Sequence, residues 1–316
     1  MAKYLVNRLL AMIVSLFGVT ILVFLMVRLI PGTIVEMMLG TEALTSYETI
    51  ATLRAYFGLD QPVYVQYYHW ISRVLVGDLG NSWRMAMPVT QFILSRLSVT
   101  LELAFIAILV AIFIGVPAGI VSALKQNSLT DGLARVAALI GLSIPVFWQG
   151  TMLILILSLA FHWAPPIDWT SPAQDLKANL DMMLLPGFCL GTASAAVIMR
   201  MTRSCMLDVL RQEYVRTARA KGLTEYVVLA RHSLKNALIP VVTVIGLQVG
   251  YLLGGTVVVE EVFGLPGLGR LVLWAIFQRD YPTVQGAVLF IAVMFMVVNL
   301  IVDVLYAYLD PRVRHG

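Results

Sequence analysis

The chain has 316 residues, 59% of them hydrophobic, against about 45–50% in soluble globular proteins. Only 13% are charged, roughly half the usual share of about 25%, which excludes an ordinary water-soluble enzyme because too few charges remain to clothe its surface. The 22 Lys and Arg exceed the 18 Asp and Glu by four, an excess that becomes informative through where along the chain it falls.

A bilayer core of about 30 Å takes about 20 mostly apolar residues per helix. Six stretches reach that length: 9–27, 100–124, 133–160, 182–201, 238–259 and 283–305. They are continuous rather than alternating, so the reading is helices and not a closed barrel. The first follows Lys3 and Arg8, is longer than a signal-peptide core and lacks an A-x-A cleavage pattern, and is therefore read as a retained anchor.

Between the first and second spans, residues 28–99 read as a helical cap. Thr45 and Glu48 form a capping box that opens a helix ending at Gly58. Pro62 starts a second helix, Val63 to Val76, stopped at Gly77. A turn-rich loop through Trp83 follows, and Pro88 begins a last short helix into the second span. The aromatics Tyr64, Tyr67, Tyr68, Trp70 and Trp83 suit interfacial anchoring or a docking surface for an external partner.

Residues 202–237, between the fourth and fifth spans, form the second large loop. Leu207, Leu210, Tyr214, Thr217 and Ala218 share one helical face, with Arg211, Arg216 and Arg219 in other directions. Gly222 is a favourable left-handed stop and Thr224 a fair N-cap for a second short helix. The result is a helix-turn-helix on a membrane face, which suits either a lipid surface or a protein groove. Orientation follows from Lys and Arg. With the amino terminus in the cytoplasm, the inner side collects fourteen of the 22: Lys3, Arg8, Lys125, Arg135, Arg200, Arg203, Arg211, Arg216, Arg219, Lys221, Arg231, Lys235, Arg312 and Arg314. Both termini are predicted cytoplasmic.

Inside the spans, Gly246, Gly250 and Gly254 recur every four residues, as in close helix packing or a smooth face lining a path. Gly115 with Gly119 and Gly187 with Gly191 repeat that spacing. Pro117 and Pro145 interrupt the second and third spans as hinges or kinks. Glu102, Arg200 and Asp303 lie close enough to span ends to reach water, leaving no charged residue at any span's centre. Cys189 and Cys205 have no C-x-x-C spacing and no clustered His, so neither a zinc site nor a disulfide framework is expected.

Several segments carry a family resemblance. Glu213-Tyr-Val-Arg-Thr-Ala-Arg-Ala-Lys-Gly222 with the stretch Arg231 to Pro240 resembles the cytoplasmic coupling loop of the dipeptide, oligopeptide and nickel permeases of ABC importers. Gly58-Leu-Asp-Gln-Pro62 with Gln66, Thr100-Leu-Glu-Leu103, Glu260 to Arg270, Arg279-Asp-Tyr-Pro282, and Asp303 to Leu309 followed by Asp310-Pro-Arg312 are similar to the same family. The long outer segment resembles the first of the two permease subunits these systems pair. In the broader superfamily the loop carries Glu-Ala-Ala, then a glycine four residues on. Laid on Gly222, those three positions are Arg216, Thr217 and Ala218, and the general proline falls on Lys235, with Pro240 beyond.

The resemblance implies an all-α, six-span subunit of a bacterial inner-membrane importer. It implies a second homologous permease subunit, two cytoplasmic ATP-binding subunits that hold ATP and Mg, and an external substrate-binding protein. It makes Glu213, Arg216, Thr217, Ala218, Arg219, Ala220, Lys221, Gly222 and Leu223 the ATPase-coupling loop. No G-x-x-x-x-G-K-[ST] phosphate loop occurs in the sequence, so the chain is expected to hold no cofactor or metal and to catalyse nothing itself. Nothing points to nucleic acid. The competing class is an ion-coupled carrier or channel, which calls for midspan ionisable residues or paired broken helices. A membrane-embedded hydrolase would need H-E-x-x-H or G-x-S-x-G, and the four histidines make no such pairing. Peptide is the expected substrate.

Overall fold

The computed structural model describes residues 2–29, 60–166 and 168–309. The expected helix from Thr45 to Gly58 and the tail from Asp310 lie outside the described residues. Among them, regular structure is helical apart from one isolated bridge between Asn81 and Pro88. In chain order the helices are α1 (Ala2–Arg28), α2 (Val63–Leu75), α3 (Val89–Leu124), α4 (Leu129–Ser143), α5 (Val146–Phe161), α6 (Leu176–Leu210) and α7 (Glu213–Ala220). A turn at Glu225–Val227 and a π-helical stretch Val228–Leu234 then feed α8 (Lys235–Gly255), followed by α9 (Val257–Val262), α10 (Leu268–Phe277) and α11 (Tyr281–Leu309).

Among the described residues, five helical stretches are long and apolar enough to cross a bilayer: Val6–Arg28, Val89–Leu124, Leu176–Leu210, Glu225–Gly254 and Tyr281–Leu305. A sixth crossing is available if α4 and α5 count as one broken span. Expected as the single run 133–160, this pair bends by 101°. Ile144 is extended (φ −77°, ψ 122°), as a residue before proline prefers, and Pro145 (φ −61°, ψ 132°) caps α5 rather than continuing α4. Pro117, by contrast, lies inside an unbroken α3. The short helix expected from Pro88 merges with the second span into that same 36-residue helix, since no glycine or proline separates them before Gly115.

The described residues fall into two compact units. One is drawn from Met1–Leu9, Arg96–Leu273 and Met294–Gly316. Its centre is α6, where 67% of the apolar stretch is buried, against 22%, 28%, 33% and 6% in the other four spanning stretches. Small residues bring α6 close to α3. A Cβ on Gly191 would sit 2.7 Å from the Ala107 carbonyl oxygen and from Val110 Cβ, and one on Gly119 would sit 2.6 Å from Thr202 Cβ. Gly115 abuts Ala195 and Ile198, and Gly187 abuts Ile106. Around this seam Leu103, Ala107, Met182, Met183, Cys189 and Ile198 are buried together. Gly246 meets Val302, and Gly250 meets Asn299 and Phe295, so two glycines of α8 pack on α11. Gly254 has nothing within 4 Å.

The other unit comprises Leu10–Ser95 and Trp274–Val293. Here α2 lies along α1. Thr20 and Tyr67 hydroxyls are 2.8 Å apart, Arg28 Nη2 donates to Gln66 Oε1 (2.7 Å), and the Phe24 ring meets Tyr67 edge-on. The loop from Gly77 to Pro88 turns at two left-handed glycines, Gly77 and Gly80, and is held by the buried Asp280. That carboxylate accepts from Ser82 Oγ and from Thr283 Oγ1.

The glycine seam makes a direct prediction. Gly191→Leu should lower stability by roughly 1–3 kcal/mol through overpacking, read as a lower midpoint in thermal unfolding of the detergent-solubilised protein. Gly254→Ala, placed in open space, should leave that midpoint unchanged.

Candidate functional site

The segment joining α6 to α8 folds as a compact knob. α6 stops at Leu210, Gln212 is extended (φ −72°, ψ 146°), and α7 restarts at Glu213. The face expected to run unbroken from Leu207 to Ala218 is therefore split between two helices. What α7 buries is Val215 and Ala218, closed over by Val228 from the returning π-helical stretch. This inward face is the physical reason for the break, because a straight extension of α6 has nothing to cover those two side chains. Beyond α7, Gly222 takes φ +77°, a left-handed conformation that costs other residues dearly, and the chain reverses.

One ion pair ties the knob across this turn and another lies within α7. Arg219 Nη2 and Nε bond both Glu225 oxygens at 2.7 and 3.1 Å, and this hydrogen bonding raises the Arg219 guanidinium above its ordinary value. Arg216 pairs with Glu213 at 2.9 Å, and Thr217 Oγ1 returns to the Glu213 carbonyl. Asn236 at the start of α8 donates to the Tyr214 hydroxyl (2.9 Å), linking α7 to the next long helix. The nine residues singled out from sequence thus lie together, but not equivalently. Ala218 faces the interior. Glu213, Arg216, Thr217, Arg219, Ala220, Lys221, Gly222 and Leu223 are exposed, and Tyr226, just past the turn, is 80% exposed.

Besides Asp280, two buried carboxylates, Asp131 and Glu260, hold helices together in a way the sequence reading did not identify. Asp131, in the first turn of α4, accepts from Ser122 Oγ (2.6 Å), the Asn127 amide (3.0 Å) and, in a two-point fork, Arg203 Nε and Nη2 (2.8 and 2.9 Å). It binds the end of α3, the start of α4 and the last third of α6 into one block. Glu260 accepts from Thr100 Oγ1 (2.8 Å) and from the Arg270 amide (2.9 Å), while Thr100 Oγ1 accepts from the Leu268 amide (2.8 Å). Together they satisfy amides in the first turn of α10, which would otherwise lack partners. Gly267 and Gly269 leave room for the carboxylate. The legible signal was a lone acid beside apolar sequence with a hydroxyl or arginine elsewhere, a pattern without fixed spacing.

Comparison with known proteins agrees with this architecture. The family described as "Binding-protein-dependent transport system inner membrane component" matches residues 115–315, and its N-terminal companion matches 1–104. The chain is 42% identical over 335 residues to the Dipeptide transport system permease protein DppB of Alkalihalophilus pseudofirmus, covering 100% of each. It is 43% identical over 339 residues to the protein of that name from Escherichia coli (strain K12), covering 100% of this chain and 99% of the relative. It is 42% identical over 315 residues to the Glutathione transport system permease protein GsiC of Escherichia coli (strain K12), with 100% of each covered. Among solved structures, the inward-facing MetNI methionine ABC transporter aligns with a TM-score of 0.58 at 15% identity, covering 70% of this chain and 97% of that one. An amino acid ABC transporter with histidines aligns at 0.51 and 19% identity, covering 71% and 94%. At such identities these two establish the fold.

The Asp131 cluster yields a stability test. Asp131→Ala strands the Arg203 guanidinium and should lower the thermal midpoint of the purified protein, since an unpaired buried charge is more harmful than none. The double change Asp131→Leu with Arg203→Met should recover most of the loss.

Proposed function

Because the chain belongs to the binding-protein-dependent transport system inner membrane component family, we propose that it is one of two permease subunits that together enclose an import path for dipeptides or closely related small solutes. It is a multi-pass permease of ABC importers. The observation that carries the substrate reading is the end-to-end agreement with dipeptide permeases, at 42–43% identity.

In this reading six crossings are completed by counting α4 and α5 as one broken span, and both termini face the cytoplasm. Residues 28–99 form an external cap, and 202–237 the cytoplasmic coupling loop. A second homologous permease completes the channel, two cytoplasmic subunits bind ATP and Mg and hydrolyse the nucleotide, and an external binding protein delivers the solute. This chain catalyses nothing itself. The exposed tip from Lys221 to Tyr226 sits in a cleft of an ATPase subunit. Val215 and Ala218, sealed against Val228, keep the knob rigid, so a push on the tip reaches α6 and α8 rather than deforming the loop. Gly246 and Gly250 serve helix packing, and the break at Pro145 gives the third span a hinge.

Uptake of a labelled dipeptide into proteoliposomes holding the complete complex tests both substrate and coupling. The account predicts uptake that requires ATP and the binding protein and is indifferent to a proton ionophore. Ionophore-sensitive uptake without ATP would instead establish a secondary carrier. In the same assay Gly222→Val should strain the turn by about 1–2 kcal/mol and suppress uptake while ATP hydrolysis continues. Gly222→Asn, which tolerates a left-handed backbone better, should be milder.

A further inference from the structure

Arg200 and Arg203 lie three residues apart on α6 and have opposite surroundings. Arg203 is largely enclosed and forks onto Asp131. Arg200 is exposed, and among the described residues no carboxylate pairs with it. It stands on an open recess of about 400 Å³ lined by Val197, Arg200, Met201 and Ser204. These positions are spaced three, one and three residues apart, so they form one face of the helix.

That face belongs to the most enclosed of the five long apolar stretches among the described residues. The exposed flanks elsewhere are apolar, such as Leu10, Ile13, Val14 and Phe17 on α1 or Phe105 and Phe113 on α3, and suit lipid. A guanidinium and a hydroxyl one turn apart do not suit hydrocarbon. They suit water and an anion. Close to the end of its span, with water in reach and no carboxylate partner among the described residues, the Arg200 guanidinium is open to a carboxylate in two-point geometry.

We propose that Arg200, in the recess it forms with Val197, Met201 and Ser204, is an anion-binding station of the translocation path that takes the carboxylate of the passing solute. This rests on the reading of the chain as half of an import path for peptide-like solutes. The recess lies on the part of α6 that leads into the coupling knob, only ten residues before the helix ends at Leu210. The station therefore sits where the position of that helix end governs whether the carboxylate is held or released.

The test uses the complete complex with Cys189 and Cys205 replaced by Ala and Ser204→Cys as reporter. Its modification rates by a negatively charged and a positively charged methanethiosulfonate are each normalised to a free thiol in solution. The account predicts an anion preference on the order of tenfold, as expected of a cleft lined by one sign of charge. The preference should vanish in Arg200→Gln and persist in Arg200→Lys. Dipeptide uptake should fall by about the same factor in Arg200→Gln, following that focusing of counter-charge, and recover largely in Arg200→Lys. A ratio near one with Arg200 present would show the cation already neutralised, by a carboxylate of the second permease or a lipid phosphate, and would overturn the proposal. So would modification by neither reagent, or undiminished uptake in Arg200→Gln. Should the unsubstituted complex move no dipeptide, the substrate reading fails, and the thiol rates alone still decide whether Arg200 forms an anion site.

Discussion

Between α3 and α6, Gly115, Gly119, Gly187 and Gly191 leave no room for a methyl group. In lipid, where apolar side chains gain little by leaving one apolar medium for another, such close packing is a main source of helix association. The seam makes α6 the enclosed centre of its unit, and the other features of that unit are arranged around it. Because α6 is fixed along the seam, Arg203 is carried to Asp131, and the start of α4 is locked to the end of α3. Because α6 is fixed and continuous to Leu210, the knob that follows is mounted on a rigid helix.

The knob shows the same economy at smaller scale. Its interior is three side chains, Val215, Ala218 and Val228, and its reversal depends on one left-handed glycine. The Arg219–Glu225 fork crosses the turn in water, where such pairs contribute only about 0–1 kcal/mol. Stiffness therefore comes mainly from the buried trio and from the two helices on which the loop is mounted. The bend at Pro145 is the counterpart, a place where the chain changes direction between α4 and α5 away from the seam.

Much of this was legible in the sequence because apolar length and small-residue spacing are local signals. The glycine pairs, the helix at Val63, the turn at Gly222 and the break at Pro145 all follow from residues next to one another. The merging of the short Pro88 helix into α3 and the splitting of α6 from α7 were not legible. The merging reflects the lack of any glycine or proline between Val89 and Gly115, so that no residue marks a boundary between the two expected helices; the splitting depends on what covers a given face, and Val228, which covers Val215 and Ala218, lies ten residues or more along the chain. The carboxylates were hidden for the same reason: Asp131 meets Arg203 and Glu260 meets Thr100 only once helices distant in sequence are packed. Arg200 was visible as a charge near a span end, but its lack of a partner could be seen only in the folded chain.

The central claim is that the tip of the knob is gripped by an ATPase subunit. The most direct measurement is a cysteine crosslinking scan from Thr217 to Tyr226 in a chain lacking Cys189 and Cys205, co-expressed with the cytoplasmic ATPase subunits, with and without ATP. The account predicts nucleotide-sensitive crosslinks at the exposed Leu223 and Tyr226 and none at the inward-facing Ala218. Crosslinks at none of these positions, with the ATPase subunits present in the membrane, would return the loop to the lipid surface and contradict the account.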